Sequence, residues 1–197
     1  MSFIDLIKKR RSRYLLNSKI PISEQELEKL IQSCIKYTPS AFNSQSARVV
    51  LLLKTAHKLL WDLTLEKLRS LVAADHFEPT REKINSFSKS YATLLFYEDQ
   101  SVIERLKSQF PAYKDSFDEW SVEGNAMLQF SIWTALAEAK IGASLQHYNP
   151  IIDAEVAAAF HIPNNWKMVA QMPLGGCMGE ESEKTFFPIS QRFRIEK

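Results

Sequence analysis

The chain has 197 residues, a formal net charge of +2, 45% apolar and 24% charged residues, the make-up of a single soluble globular domain over 1–197. So balanced a charge does not by itself imply nucleic acid, five glycines leave neither a GxGxxG nor a GxxxxGK[ST] phosphate cradle, and no run of about 18 apolar residues is present to cross a membrane. Cys34 and Cys177 lie outside any CxxC, and the N-terminus places its basic residues after its apolar ones, which together point to a reducing cytoplasm rather than secretion.

Phe3, Ile4, Leu6 and Ile7 begin a short helix that ends in a basic turn by residue 11. Ser23 and Glu26 form a capping box, and Leu27, Leu30, Ile31, Cys34 and Ile35 continue as a buried stripe until Thr38-Pro39. After the polar loop SAFNSQSA, Arg48–Leu53 reads as a strand buried on both faces. Thr55 is expected to cap a helix to about Val72 with Leu59, Leu60, Leu63 and Leu68 inside. Residues 75–90 form a mobile helical excursion, and Tyr91–Tyr97 is a second strand ended by solvated Glu98 and Asp99.

Ser101–Phe110 is a short helix, Pro111 breaks it, and 115–140 is the longest helix. Ile141–Gln146 is a short strand or extended turn, Asp153 caps a helix to Phe160, and Lys167–Leu174 is a third strand. The tail from about 178 to 197 carries Phe186, Phe187, Phe193 and Ile195 and suits an arm that wraps a partner subunit. Helices alternating with strands give one α+β domain, a sheet layered with helices.

Four segments carry candidate chemistry. Lys8 to Arg13 holds five cations and a hydroxyl in six positions, with Tyr14 next, and arginine forks match phosphate oxygens; a solvated helix end or a weak nucleic-acid contact is the plainer reading. Ser40, Asn43 and Gln45 can read the edge of a planar heterocycle, or simply make a turn. Gly142–Pro150 contains Ser144 and His147, but no acidic orienter or nucleophile elbow accompanies them, so hydrolysis is disfavoured and His147 is expected to be a hydrogen-bonded structural histidine. Lys184 and Arg192 either add charge to a phosphate site or belong to a mixed surface. The four histidines have no metal-ligand spacing.

In order and position these segments resemble the nitroreductase family of FMN-dependent oxidoreductases, in particular the small nitroreductase-like proteins of bacteria and fungi. The resemblance rests on Arg10-Arg11-Ser12 after a first helix, the P-S-x-x-N-x-Q loop from Pro39, the GASLQHYNP segment from Gly142, and the EKTFFPISQRF tail from Glu183. It implies a three-layer α/β/α fold with a mixed sheet and an intertwined homodimer. FMN would lie at the dimer interface: Arg10, Arg11, Ser12, Lys184 and Arg192 at its phosphate and ribityl chain, Ser144, Leu145 and Gln146 beside the ring, and Ser40, Asn43 and Gln45 approaching from the other subunit. The implied activity is ping-pong electron transfer from NAD(P)H to nitroaromatic or quinone-like acceptors, with no catalytic side chain because the flavin carries the chemistry. The sequence departs from the family in having Tyr14 where many relatives place a basic residue, and GASLQHYNP where many carry Pro-x-Glu-Gly. A flavin-binding sensor with little turnover is the alternative that the second departure suggests.

Overall fold

A strand whose apolar and aromatic residues run on without polar alternation is stable only when both of its faces are covered. In the computed structural model, which describes residues 2–181 and 183–197, Ala92–Asp99 forms such a strand with all eight residues buried. It is named β3 and lies at the sheet's centre. Ala47–Leu53 (β2) pairs along one side of it and Trp166–Cys177 (β5) along the other, while the short strands Leu16–Asn17 (β1) and Ile141–Ala143 (β4) pair with the end of β5. Ala47 faces Glu98 and Leu53 faces Ala92. Ala92 faces Leu174 and Asp99 faces Trp166, with a register shift between Phe96 and Tyr97. All these strand pairs are antiparallel; the parallel component of the expected mixed sheet is a single bridge between Ser12 and Ala143.

Seven α-helices cover the sheet among the described residues: α1 Phe3–Lys9, α2 Glu24–Tyr37, α3 Lys54–Arg69, α4 Phe77–Ser88, α5 Gln100–Gln109, α6 Phe117–Glu138 and α7 Asp153–Phe160. Alternate side chains of a strand point to opposite faces. Leu94 and Phe96 therefore join Leu27 and Ile31 of α2 and Leu128, Ile132 and Leu136 of α6 in one core. Leu95 and Tyr97 join Leu60 and Trp61 of α3, Ile84 and Phe87 of α4, and Val156 of α7 in the other. The result is the expected α/β/α layering.

Several local expectations change. The strand expected to be doubly buried, β2, is at an edge, and Leu52 is its one fully buried residue. Thr55 does not cap α3: Leu53 holds that position and the helix starts at Lys54. Helical phase exposes Leu59 and instead buries His57, Trp61 and Thr64. Asp153 lies inside the first turn of α7, behind Ile152, and makes no capping bond. The segment 75–90 is mostly α4, with Ile84 and Phe87 in the core. The capping box at Ser23 is present: Ser23 Oγ accepts from the Glu26 N–H at 3.2 Å, and the Glu26 carboxylate accepts from the Ser23 N–H at 2.8 Å.

Candidate functional site

The basic segment follows the last turn of α1, where Lys8 and Lys9 meet the negative end of the helix. Arg10 leaves in extended conformation, and the Arg13 N–H donates to Ala143 O at 2.9 Å, tying the segment to β4. Alternation along this extended stretch separates its side chains. Arg11 and Arg13 lie 3.7 and 3.2 Å from the Glu181 carboxylate, and Arg13 also donates to Gly179 O at 2.7 Å. Arg10 instead lies over the indole of Trp133 on α6, its guanidinium carbon 4.3 Å from the ring centroid. Among the described residues, no hydrogen bond or ion pair holds the Arg10 guanidinium, and its Nε is buried without a partner. Burial, and after it the charge of Arg11, lower the Arg10 pKa from its ordinary value. A cavity of about 260 Å³ opens here, lined among others by Lys9, Arg11, Arg13, Trp133 and Lys140.

Ser144 and Gln146 continue from β4 beside this segment. Gln146 exchanges both backbone bonds with Gln171, at 2.7 and 2.9 Å, and its side chain donates to Ser144 Oγ at 3.1 Å. Both residues are buried, and Leu145 between them is half-buried. His147 is exposed; among the described residues the histidine with a hydrogen-bonded ring is His57.

The loop before β2 is held in an uncommon conformation: Phe42, Asn43 and Gln45 have φ of 54°, 50° and 51°. Non-glycine residues seldom adopt the left-handed region, and such strain gathers at functional sites. Ser40 Oγ accepts from the Gln45 N–H at 3.0 Å across the loop, and the Phe42 ring packs against Phe110, Tyr113, Phe117 and Trp120. A cleft of about 400 Å³ lies between this loop, α2 and α6, with Ser40, Gln45, Ser46, Arg48 and Glu98 among its lining.

Glu98 and Asp99 are buried, not solvated. Asp99 accepts from Arg48 at 2.8 Å, Asn165 at 2.6 Å and the Ser101 N–H at 3.0 Å, so its carboxyl sits below its ordinary pKa although burial opposes this. Glu98 accepts from Asn125 Nδ2 at 2.8 Å, and Asn125 in turn accepts from Gln129 at 2.7 Å. Burial, with the charge of Asp99, raises the Glu98 pKa against Ser46, Asn125 and Arg48, and its Oε2 has no hydrogen-bond partner among the described residues.

The chain therefore joins the basic segment to residues 143–146, and keeps Ser40, Asn43 and Gln45 elsewhere. Ser40 packs against α6 at Gly124, nine positions before Trp133, which is about 13 Å along the helix. Lys184 and Arg192 are exposed, and no hydrogen bond or ion pair among the described residues joins them to Arg10 or Ser12. Lys184 instead lies 5.2 Å from the ring of Phe186. Trp133 and Glu98, which line the two cavities, and Asn125, which holds Glu98, were marked by no sequence motif. Among the described residues there is no cluster of three His, Cys, Asp or Glu able to hold a metal, and no helix long and apolar enough to cross a membrane.

The profile of the Nitroreductase family matches residues 7–176. Over 187 residues the chain is 30% identical to the Saccharomyces cerevisiae protein HBN1, an alignment that covers 94% of this chain and 93% of that one. Its fold matches nitroreductase CinD from Lactococcus lactis, solved in complex with nicotinic acid, with a TM-score of 0.93 and 37% identity over 100% of both chains. A protein from Exiguobacterium sibiricum, solved in complex with FMN, shares the fold at a TM-score of 0.73 and 13% identity, over 100% of this chain and 98% of that one.

Proposed function

Since the chain belongs to the nitroreductase family, an oxidoreductase family, we propose that it is an FMN-dependent enzyme, active as a homodimer, that transfers electrons from NAD(P)H to nitroaromatic or quinone-like acceptors. One observation carries the cofactor reading: the Arg10 guanidinium is half-buried and faces no anion among the described residues. A desolvated cation without a counter-charge is unfavourable, and a phosphate monoester supplies the missing charge in a geometry that an arginine fork matches. The residues present thus fit the phosphate end of FMN.

In this reading Arg10 grips the phosphate with Ser12, which borders Ala143. Arg11 and Arg13 hold the positive potential at the site while Glu181 fixes their positions. Ser144 and Gln146 keep the 143–146 backbone rigid and Leu145 offers its half-buried side chain to the ring. Ser40, Asn43 and Gln45 reach the ring from the partner, and Lys184 and Arg192 return to the phosphate when the arm is docked. When bound, FMN would supply the redox chemistry, two-electron exchange with NAD(P)H and with the acceptor in a ping-pong cycle. CinD, the relative above, has also been solved with chloramphenicol and with 4-nitrophenol, which supports a small aromatic acceptor.

The test is direct. The purified protein is expected to be yellow, or to turn yellow on reconstitution with FMN, and to oxidise NAD(P)H when menadione or a nitroaromatic is added. A protein that takes up no FMN overturns the proposal. Bound FMN that NAD(P)H does not reduce would favour the sensor reading, which the GASLQHYNP segment motivates.

A further inference from the structure

Arg10 and Trp133 are 123 positions apart, and the guanidinium lies over the indole ring. The guanidinium carbon stands 4.3 Å from the indole centroid, within the range where a cation is attracted to the negative face of an aromatic ring. Arginine side chains normally lose rotamer entropy when a ligand orders them. Here the ring settles the guanidinium in advance. A second feature marks the same spot. Arg10 Nε and Trp133 Nε1 are both buried N–H donors, and neither has a hydrogen-bond partner among the described residues. Buried donors are rarely left unpaired, so two at one contact point to an acceptor from outside the chain. Lys9, Arg11, Arg13 and Lys140 line the adjoining cavity against the single carboxylate of Glu181, which pairs with Arg11 and Arg13, and this excess of positive charge makes that acceptor an anion.

We infer that Trp133 is a positioning residue for the phosphate group of the flavin nucleotide: its ring fixes the Arg10 guanidinium, and its indole N–H shares in the anion's coordination. This rests on the FMN reading above and assigns a role to a residue outside the four sequence segments.

The experiment is a titration of the full-length apoprotein with FMN and, in parallel, with riboflavin, which lacks the phosphate, read by quenching of flavin fluorescence. Thermal melting of each apoprotein checks folding. Trp133→Leu removes ring and N–H and is expected to weaken FMN binding about tenfold. Trp133→Phe keeps a ring face without the N–H and is expected to lose about threefold. Riboflavin affinity should stay at the wild-type value in both. In the Arg10→Ala background Trp133→Leu should cost less than a further twofold, because the platform then has nothing to hold. If Trp133→Leu does not fold, Trp133→Phe alone decides the case.

Wild-type FMN affinity in the Trp133 variants overturns the inference, as does a Trp133→Leu loss that adds in full to that of Arg10→Ala. Weakened dimerisation with unchanged FMN affinity also overturns it, and assigns the unpaired donors to the partner chain. A wild-type protein that binds no FMN overturns the underlying reading as well. One that binds FMN regardless of Trp133 overturns this inference alone.

Discussion

Protonating His57 would break a buried hydrogen-bond chain. Its Nε2 faces Ser88 O at 3.2 Å and its Nδ1 faces Thr93 Oγ1 at 2.9 Å, and that hydroxyl also accepts from Trp61 Nε1 at 3.0 Å. The chain is satisfied when Thr93 donates to Nδ1 and the neutral ring donates from Nε2. Burial lowers the His57 pKa below 6.5, with Lys58 acting the same way and the Ser88 bond opposing. The unfolded chain then binds the proton more readily, so stability is fully present above about pH 6.5 and is lost as pH falls below it. His57→Gln should be less stable at pH 7.5, and should narrow its deficit against wild type as pH falls towards 5.5, read as urea midpoints. Glu98 has the opposite sign. Burial raises its pKa above 4.5, so the native state keeps a proton that the unfolded state has released, and stability falls as pH rises through that window. Glu98→Gln should raise the melting temperature at pH 7.5 and lose that advantage near pH 4.5. Neither residue's role was legible in the sequence. His57 depends on Thr93, 36 positions away, and Glu98 on Asn125, 27 positions away; only the fold makes them neighbours. Arg10 and Ser12 could be singled out as candidates because the charge run is local, whereas the Trp133 over which Arg10 lies could not.

At the scale of elements, two glycines make opposite predictions. Gly124 lies inside α6, and a Cβ there would meet Ser40 atoms at 3.8 Å, an ordinary contact. Removing a glycine from a helix interior gains up to about 1 kcal/mol, so Gly124→Ala should raise the unfolding free energy by that order. Gly175 lies on β5 where β1 approaches, and a Cβ there would stand 2.3 Å from Asn17 O and 3.0 Å from Tyr91 N. Both are backbone atoms that cannot turn aside, so Gly175→Ala should cost about 1–3 kcal/mol and loosen β1. Chemical denaturation of the two variants gives both signs in one experiment. The same contrast explains which elements could be read in advance. The Ser23 capping box uses two residues three apart and is present as expected. Residues before a helix are weaker guides when tertiary packing moves the start: α3 begins directly from β2 at Lys54, and Thr55 falls inside the first turn. Strand β2 looked doubly buried because its residues after Arg48 are all apolar, yet its pairing leaves one side of it open. Edge or centre is a property of the sheet and not of the segment.

For the whole molecule, the C-terminal arm and the site pose one problem. Phe186, Phe187, Ile189, Phe193 and Ile195 are 64–76% exposed, and burying one such side chain gains roughly 1.5–3 kcal/mol. The arm leaves the body just after Arg13 fixes Gly179 and Glu181, so its departure point is set while its apolar side chains have no cover in this chain. The site is also divided, because Ser40 packs on α6 at Gly124 while Arg10 rests on Trp133. In the proposed dimer a second copy would answer both, covering the arm and bringing its own loop to the basic segment of the first. The proposed dimer therefore predicts that flavin retention and subunit association are one equilibrium. A chain ending at residue 181 should run as a monomer in light scattering and lose FMN together with Lys184 and Arg192. The double variant Phe186→Ser, Phe187→Ser keeps both cations, and on dilution it should release FMN at the concentration where it dissociates, which should be higher than for the wild type. A shortened chain that stays dimeric, or a monomer of the double variant that holds FMN as tightly as the wild type, would separate the arm from the site and refute the shared-site dimer.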